Sequence, residues 1–190
     1  MVQINVCDDE SIGAAKWYLK SKGVTLYGLV NNAGVGMKTS NEADLILSTN
    51  FYGPKRVTDA LAEMVAPGGR VVNVASMVAS SWLKRQDANT KKLFSDPDLT
   101  WEVLEEAVKD NIKAQNFIMG GYALSKTAVT ALTLVQVPIY FKVSIYSKYH
   151  LKTLHILETG IKLSTIESDQ HLSWIYFYQY DSWVQWWEDT

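Results

Sequence analysis

The chain has a single cysteine, Cys7, so it can close no internal disulfide. Such thiol usage points to a reducing, cytoplasmic setting, and Cys7 itself reads as a small buried apolar residue. There is no surplus of either charge. With 18 basic and 20 acidic residues the net charge is −2, and nothing resembles the basic stripe of a nucleic-acid binder. No apolar run approaches the ~18 residues of a membrane span, so no membrane partner is expected. The opening Met1-Val2-Gln3-Ile4-Asn5-Val6 lacks the basic and apolar regions of a secretion signal and alternates like a strand. His150, His155 and His171 stand at no metal-ligand spacing and read as structural, so no metal is expected. There is no internal repeat or low-complexity linker. What remains is an ordinary composition, 47% hydrophobic and 20% charged, in 190 residues, enough for one domain with a sizeable core.

Hydrophobic periodicity supplies the elements. Residues 2–7 read as a short strand, Asp8-Asp9-Glu10-Ser11 as a helix start, and Gly23 as that helix's stop. Leu26 to Val30 is a nearly continuous apolar run, the pattern of a parallel strand buried on both faces. It ends in the polar turn Asn31-Asn32-Ala33-Gly34-Val35-Gly36. Asn41 to Ala66 is helical by period, with Pro54 a kink or an end, and Pro67-Gly68-Gly69 a break. Arg70 to Ser76 is a third strand. Residues 77–99 read as polar and irregular, and Thr100 caps a helix that follows. A helix runs from Tyr122 to about Gln136, stopping at Val137-Pro138, with a further strand within 139–146. Alternation of strand and helix argues a parallel sheet with crossover helices. The last 20 residues hold eight aromatics and fit no period.

Tyr122 and Lys126 lie four residues apart, hence on one face of their helix. A free tyrosine has a pKa of about 10, and a cation within ~4–6 Å lowers it by about 1–3 units, toward use as a proton donor and acceptor. Spacing alone is a weak signal, because Tyr18 and Lys22 share it and read as a solvated helix face. The later pair differs by what precedes it. The Asn31–Gly34 turn ends one strand, Asn50 lies on the next helix, and Ser76 ends the following strand. In open parallel sheets, ligands bind at the carboxyl ends of strands. The plain alternatives are a simple turn at Asn31–Gly34, a strand end at Ser76, a surface residue at Asn50 and a core tyrosine at Tyr122.

Asn31-Asn32-Ala33-Gly34, Asn50, Ser76, Tyr122 and Lys126, in this order, resemble the short-chain dehydrogenase/reductase family. The long 77–119 segment, with Arg70-Val71-Val72-Asn73-Val74-Ala75-Ser76 and Asn50-Phe51-Tyr52-Gly53, resembles its carbonyl-reductase branch. The resemblance covers roughly residues 2–135. It implies an α/β fold, a three-layer Rossmann-like parallel sheet with flanking helices. It also implies NADP(H)-dependent reduction of a ketone or aldehyde, NAD(H) being the alternative cofactor. Asn50, Ser76, Tyr122 and Lys126 are then the catalytic set. Asn5, Val6, Asn32, Ala33 and Gly34, with Tyr122 and Lys126, are the cofactor contacts. In the family the lysine also grips the ribose hydroxyls, and the asparagine helps hold a proton-supplying water chain.

The family's opening turn, Thr-Gly-x-x-x-Gly-x-Gly, which cradles pyrophosphate at a helix N-terminus, does not occur in this sequence. The expectation is therefore an incomplete fold without the first two strands, beginning at the family's third strand. Asn5-Val6 stands where the family usually has an aspartate and a branched residue. Residues 1–135 form a partial dinucleotide-binding domain containing the 77–119 insertion, and 136–190 form an unmatched aromatic-rich segment. The partner expected is a small carbonyl substrate, with no nucleic acid. The insertion implies a monomer, although an exposed sheet edge would favour association. The alternative is a catalytically impaired relative, acting as a binding or regulatory partner or having no role.

Overall fold

The structure is a computed structural model that describes residues 2–36, 42–114, 121–140, 143–147, 153–157, 160–164, 176–179 and 182–184. Residues 2–7 do not form the expected strand. The Asn5 N–H is donated to Ser11 Oγ at 2.9 Å, the Cys7 N–H to Asn5 Oδ1 at 3.0 Å, and the Asp8 N–H to the Asn5 carbonyl at 3.1 Å. These local bonds use the backbone groups that a neighbouring strand would need. The result is a turn that leads into helix α1 (Asp9–Ser21), which Asp8 caps by accepting from the Glu10 N–H at 3.0 Å. Gly23, with φ of 64°, follows its end, as expected from the sequence.

Strand β1 (Leu26–Asn31) comes next. The helix expected across 41–66 is four segments: α2 (Ala43–Leu47), a π turn (Ser48–Tyr52), α3 (Gly53–Leu61) and one 3-10 turn (Ala62–Met64). Pro54 neither ends nor breaks this run. It lies in the first turn of α3, where its fixed φ suits the start of a helical segment. Strand β2 (Val65–Ala75) runs through Pro67-Gly68-Gly69, so the expected break is an irregularity inside a strand. Its pairing with β1 shifts register between Leu26 and Gly28. Gly68 has φ of 81°, and a Cβ on Gly69 would stand 2.4 Å from the Tyr27 carbonyl oxygen. Only glycine allows so close an approach.

Residues 77–99 are helical rather than irregular, with α4 (Met77–Lys84) and α5 (Ala88–Phe94). Segments of 8 and 7 residues carry too few turns for a clear apolar period. Helix α6 (Trp101–Lys113) is capped by Thr100, as expected. Helix α7 (Tyr122–Tyr140) continues past Val137-Pro138. A proline this near the end of a long helix sacrifices one terminal hydrogen bond without ending the helix.

Strand β3 (Val143–Ser147) pairs in parallel with β2, as β2 does with β1. Strands β4 (Thr153–Leu157) and β5 (Gly160–Ser164) continue antiparallel beyond β3. Strands β6 (Tyr176–Gln179) and β7 (Ser182–Val184) continue antiparallel beyond β1. Among the described residues the order is β5-β4-β3-β2-β1-β6-β7. The parallel centre with its helical crossovers is Rossmann-like, and the late segment supplies strands on both sides of it.

A buried polar chain ties this centre together. Asn31 and Asn73 are register partners, so their side chains share one face of the sheet. Asn31 Nδ2 donates to Asn73 Oδ1 and to Thr58 Oγ1 of α3, both at 2.8 Å. Asn73 Nδ2 donates to Thr133 Oγ1 at 3.1 Å and Gln136 Oε1 at 2.8 Å, both on α7. Helices α3 and α7 therefore cover the same face. Leu29, Asn31, Val71, Asn73 and Ala75 point into that side and are buried, whereas the alternating Val30, Arg70, Val72 and Val74 are not. Strand β2 thus alternates over its second half, whereas β1 buries Leu26 and Leu29 but leaves Tyr27 exposed, so its apolar run is not buried uniformly on both faces.

Two apolar clusters flank the chain of amides. Val6, Ile12, Leu26, Leu29, Val57, Leu61 and Val71 join α1, α3 and the strands. Phe51, Trp82, Phe94, Leu104, Leu124 and Leu132 join the 77–113 helices to α7. The Gly69→Ala substitution should lower stability by about 1–3 kcal/mol, the usual range for overpacking, because the neighbouring atom is backbone. Gly13→Ala, in α1 with nothing within 4 Å of the added carbon, should raise it by about 0.5–1 kcal/mol. Urea unfolding of the two variants beside the parent checks both signs.

Candidate active site

The polar residues singled out in the sequence meet at the ends of β1 and β2. Past Asn31 the chain turns at once, the Asn32 N–H bonding back to the Val30 carbonyl at 3.0 Å. Asn32 and Ala33 are half-buried, and Ala33 packs on the α1–α3 cluster. The next turn is held from outside by Asn50, buried to 1% exposure within the π turn. Asn50 Oδ1 accepts the Val35 N–H at 2.7 Å, and Asn50 Nδ2 donates to the Val35 carbonyl at 2.9 Å. The amide thus imitates a neighbouring strand, satisfying both backbone groups of one residue. A Cβ on Gly34 would lie 3.2 Å from Asn50 Oδ1 and 3.7 Å from Lys126 Nζ, so this turn runs directly against both side chains. The π turn that carries Asn50 widens the helix locally, a feature frequent at functional sites.

Ser76 follows β2 and caps α4. It is buried, and its Oγ accepts the Val78 N–H at a long 3.4 Å. Two residues earlier, the Val74 carbonyl accepts from Lys126 Nζ at 3.0 Å. Gly121, with φ of 86°, leads into α7, whose first residue is Tyr122. Tyr122 is half-buried, and Lys126 Nζ lies 5.8 Å from its ring centroid. Burial strips water from the Lys126 ammonium and pushes its pKa down to about 8.

Asn50, Gly34, Tyr122 and Lys126 therefore form one cluster, bonded to the strand end that carries Ser76. Asn5 and Val6 lie elsewhere. Asn5 is exposed in the turn before α1, and Val6 is buried against Gly53, where a Cβ would meet its Cγ2 at 2.9 Å. Sequence reasoning missed Ser125, which is fully buried and bonded to Asn50, and the Val35 and Val74 backbone groups. The signal for Ser125 was its offset of three from Tyr122, which puts both on one side of the helix. The two backbone contacts carry no side-chain signature.

Helices α4 to α6 close one side of this cluster. Trp101 of α6 stacks on Phe51 at 5.4 Å and meets Tyr52 edge-on at 6.0 Å, directly beside Asn50. Burial and the Glu105 carboxylate push the Tyr52 phenol's pKa up, with Arg56 opposing. Lys55 Nζ sits 4.8 Å from the Trp101 ring centroid, a cation–π contact. Among the described residues no group of acidic, histidine and cysteine side chains is arranged to hold a metal, and no helix is long and apolar enough to cross a membrane.

Comparison with known proteins finds reductases. A family described as enoyl-(acyl carrier protein) reductase matches residues 1–92. Carbonyl reductase [NADPH] 1 from Bos taurus is 30% identical across 70% of this chain and 53% of its own length. Its Homo sapiens counterpart is 29% identical over the same shares. The chain resembles members of the short-chain dehydrogenase/reductase family. It spans about half the length of these curated relatives. Among solved structures, menthone neomenthol reductase from Mentha piperita shares 27% identity at a TM-score of 0.65, covering 76% of this chain and 68% of that one. Salutaridine reductase from Papaver somniferum, at 22% identity and the same TM-score of 0.65, covers 80% and 69% and shows the shared fold.

In this chain the buried lysine leaves a measurable trace. From pH 8 to about 10.4 the unfolded chain still holds the Lys126 proton, whereas the folded chain has released it. Stability conferred by the parent lysine therefore rises with pH across that window. The stability difference between the parent and Lys126→Met should shift toward the parent from pH 8 to 10.4 and be flat below it. Chemical unfolding midpoints of both proteins across the range check this.

Proposed function

We propose that this chain reduces a ketone or aldehyde to an alcohol with a nicotinamide cofactor, NADPH rather than NADH. The reading rests on the Lys126 ammonium, buried beside the Tyr122 ring and under the Gly34 turn. An ammonium has three N–H donors, and one is used at Val74. The other two suit the ribose hydroxyls of the cofactor's nicotinamide end, and the bare Cα of Gly34 permits a close approach of that group. Asn32 and Ala33 lie on the same turn.

When bound, the cofactor supplies a hydride to the carbonyl carbon. As the C–H bond forms, the carbonyl π pair moves to oxygen, which takes the Tyr122 phenolic proton, leaving the alcohol and a tyrosinate. The Lys126 ammonium stabilises that tyrosinate by charge. Ser76 Oγ accepts from Val78, so its own proton is available to the substrate oxygen as negative charge develops there. Asn50 holds the Val35 turn against Lys126 and, with water, resupplies the proton. Helices α4 to α6 wall the substrate side. They also cover α7 and the π turn, which favours a monomer. Residues 1–135 carry these groups as a partial dinucleotide-binding unit, residues 136–190 form an aromatic-rich segment that adds strands to its sheet, and the setting is cytoplasmic.

The pyrophosphate end has no such fit, since no Thr-Gly-x-x-x-Gly-x-Gly turn occurs in the 190 residues, and Asn5 brings no charge to the adenine side. That observation favours a second reading, a relative with the reducing side chains and low affinity for the whole cofactor, acting as a binding or regulatory partner. Carbonyl-dependent NADPH oxidation, with a parallel NADPH binding titration, separates the two. The expected outcome is turnover by the parent, a loss of about 10²–10⁴-fold in Tyr122→Phe, and cofactor saturation above the micromolar range. Equal inactivity of both proteins would overturn the reductase reading and leave the second. Sedimentation should report a monomer in either case.

A further inference from the structure

A serine outside the catalytic set connects its two halves. Ser125 is fully buried in the first turn of α7. Its Oγ donates to the Tyr122 carbonyl at 2.8 Å and accepts from Asn50 Nδ2 at 3.1 Å. A hydroxyl has one proton. Once that proton is committed to Tyr122, Ser125 can only accept toward Asn50. Asn50 must then present its NH₂ to Ser125 and to the Val35 carbonyl, and its oxygen to the Val35 N–H. A flipped amide would set oxygen against two oxygen acceptors and leave the Val35 N–H facing a donor.

We infer that Ser125 is a positioning residue, acting through Asn50, that fixes the amide's orientation and thereby couples the Val35 turn to the helix turn bearing Tyr122. The inference rests on the reductase reading for its effect on turnover, and not for its effect on Asn50. The geometry explains why a hydroxyl is required at a fully buried place next to Lys126. An apolar residue there would leave one Asn50 N–H without a partner at a site with 1% exposure. Threonine can replace it in principle, since α7 already accommodates Thr127, Thr130 and Thr133, each bonded back to the carbonyl four residues earlier.

The test compares Ser125→Ala, Ser125→Thr and the parent by NMR of the side-chain amides, with Asn50→Asp identifying the Asn50 signal. In Ser125→Ala the Asn50 NH₂ protons should exchange with solvent about five- to tenfold faster, the equivalent of one lost hydrogen bond. Ser125→Thr should keep the parent rate. In the NADPH assay, kcat should fall in Ser125→Ala with KM for the carbonyl unchanged, and Ser125→Thr should restore it. Asn50 exchange that is unchanged in folded Ser125→Ala, or equally fast in folded Ser125→Thr, would overturn the inference. An inactive parent with the expected exchange pattern would overturn the reductase reading and leave the positioning role standing.

Discussion

The arrangement of this molecule depends on one buried amide. Asn73 sits at the centre of the covered face of the sheet, fully buried, with its Oδ1 taken by Asn31 and its two N–H donors by Thr133 and Gln136. A buried amide left unsatisfied costs about 1–3 kcal/mol per group. The chain avoids most of that cost only in one relative setting of β1, β2, α3 and α7. A slide of α7 by one residue would remove both acceptors from Asn73 together. Apolar packing tolerates small slips, and the polar chain removes that tolerance. One loose end persists: the Nε2 of Gln136 is buried without a partner among the described residues.

This lock has its consequence one residue farther along the strand and two turns back along the helix. Val74, next to Asn73, offers its carbonyl to Lys126, seven residues before Thr133 on the same face of α7. The register that satisfies Asn73 is thus the register that brings the lysine to the strand end. Once there, the ammonium is desolvated, and its lowered proton affinity follows from burial rather than from a neighbouring charge. A site of this kind costs stability at neutral pH, and the two apolar clusters on either side of the amide chain offset it.

Much of this was legible in the sequence because the informative signals were local. The α1 boundaries followed from Asp8 and Gly23, and the order of Asn31–Gly34, Asn50, Ser76, Tyr122 and Lys126 pointed to a cluster at strand ends. The failures share a cause. Residues 2–7 alternate like a strand, yet a strand is defined by its partner, and Asn5 gave its backbone to Ser11 and Asp8 instead. Pro67-Gly68-Gly69 looks like a stop, but Gly69 is a place where two backbones touch. Val30, Val72 and Val74 signal burial by residue type, while the helices bonded to β1 and β2 stand on the opposite face. For Ser125 the offset of three from Tyr122 was the one local signal, because its bond to Asn50 spans 75 residues.

The Tyr122–Lys126 spacing is not unique to the site. Tyr18 and Lys22 repeat it at the end of α1, and Lys22 Nζ even lies 5.7 Å from the Tyr18 ring, nearly the 5.8 Å of the later pair. Distance therefore does not distinguish them. Environment does. Tyr18 is 37% exposed on a helix surface, so water screens the cation and the pair is energetically slight. Lys126 is 6% exposed and bonded to a strand-end carbonyl, in a region where water is excluded and a charge is felt strongly. A cation brought close to a phenol acts on it strongly only when the fold first removes its water. Here that removal is the work of the amide-locked contact between α7 and β2.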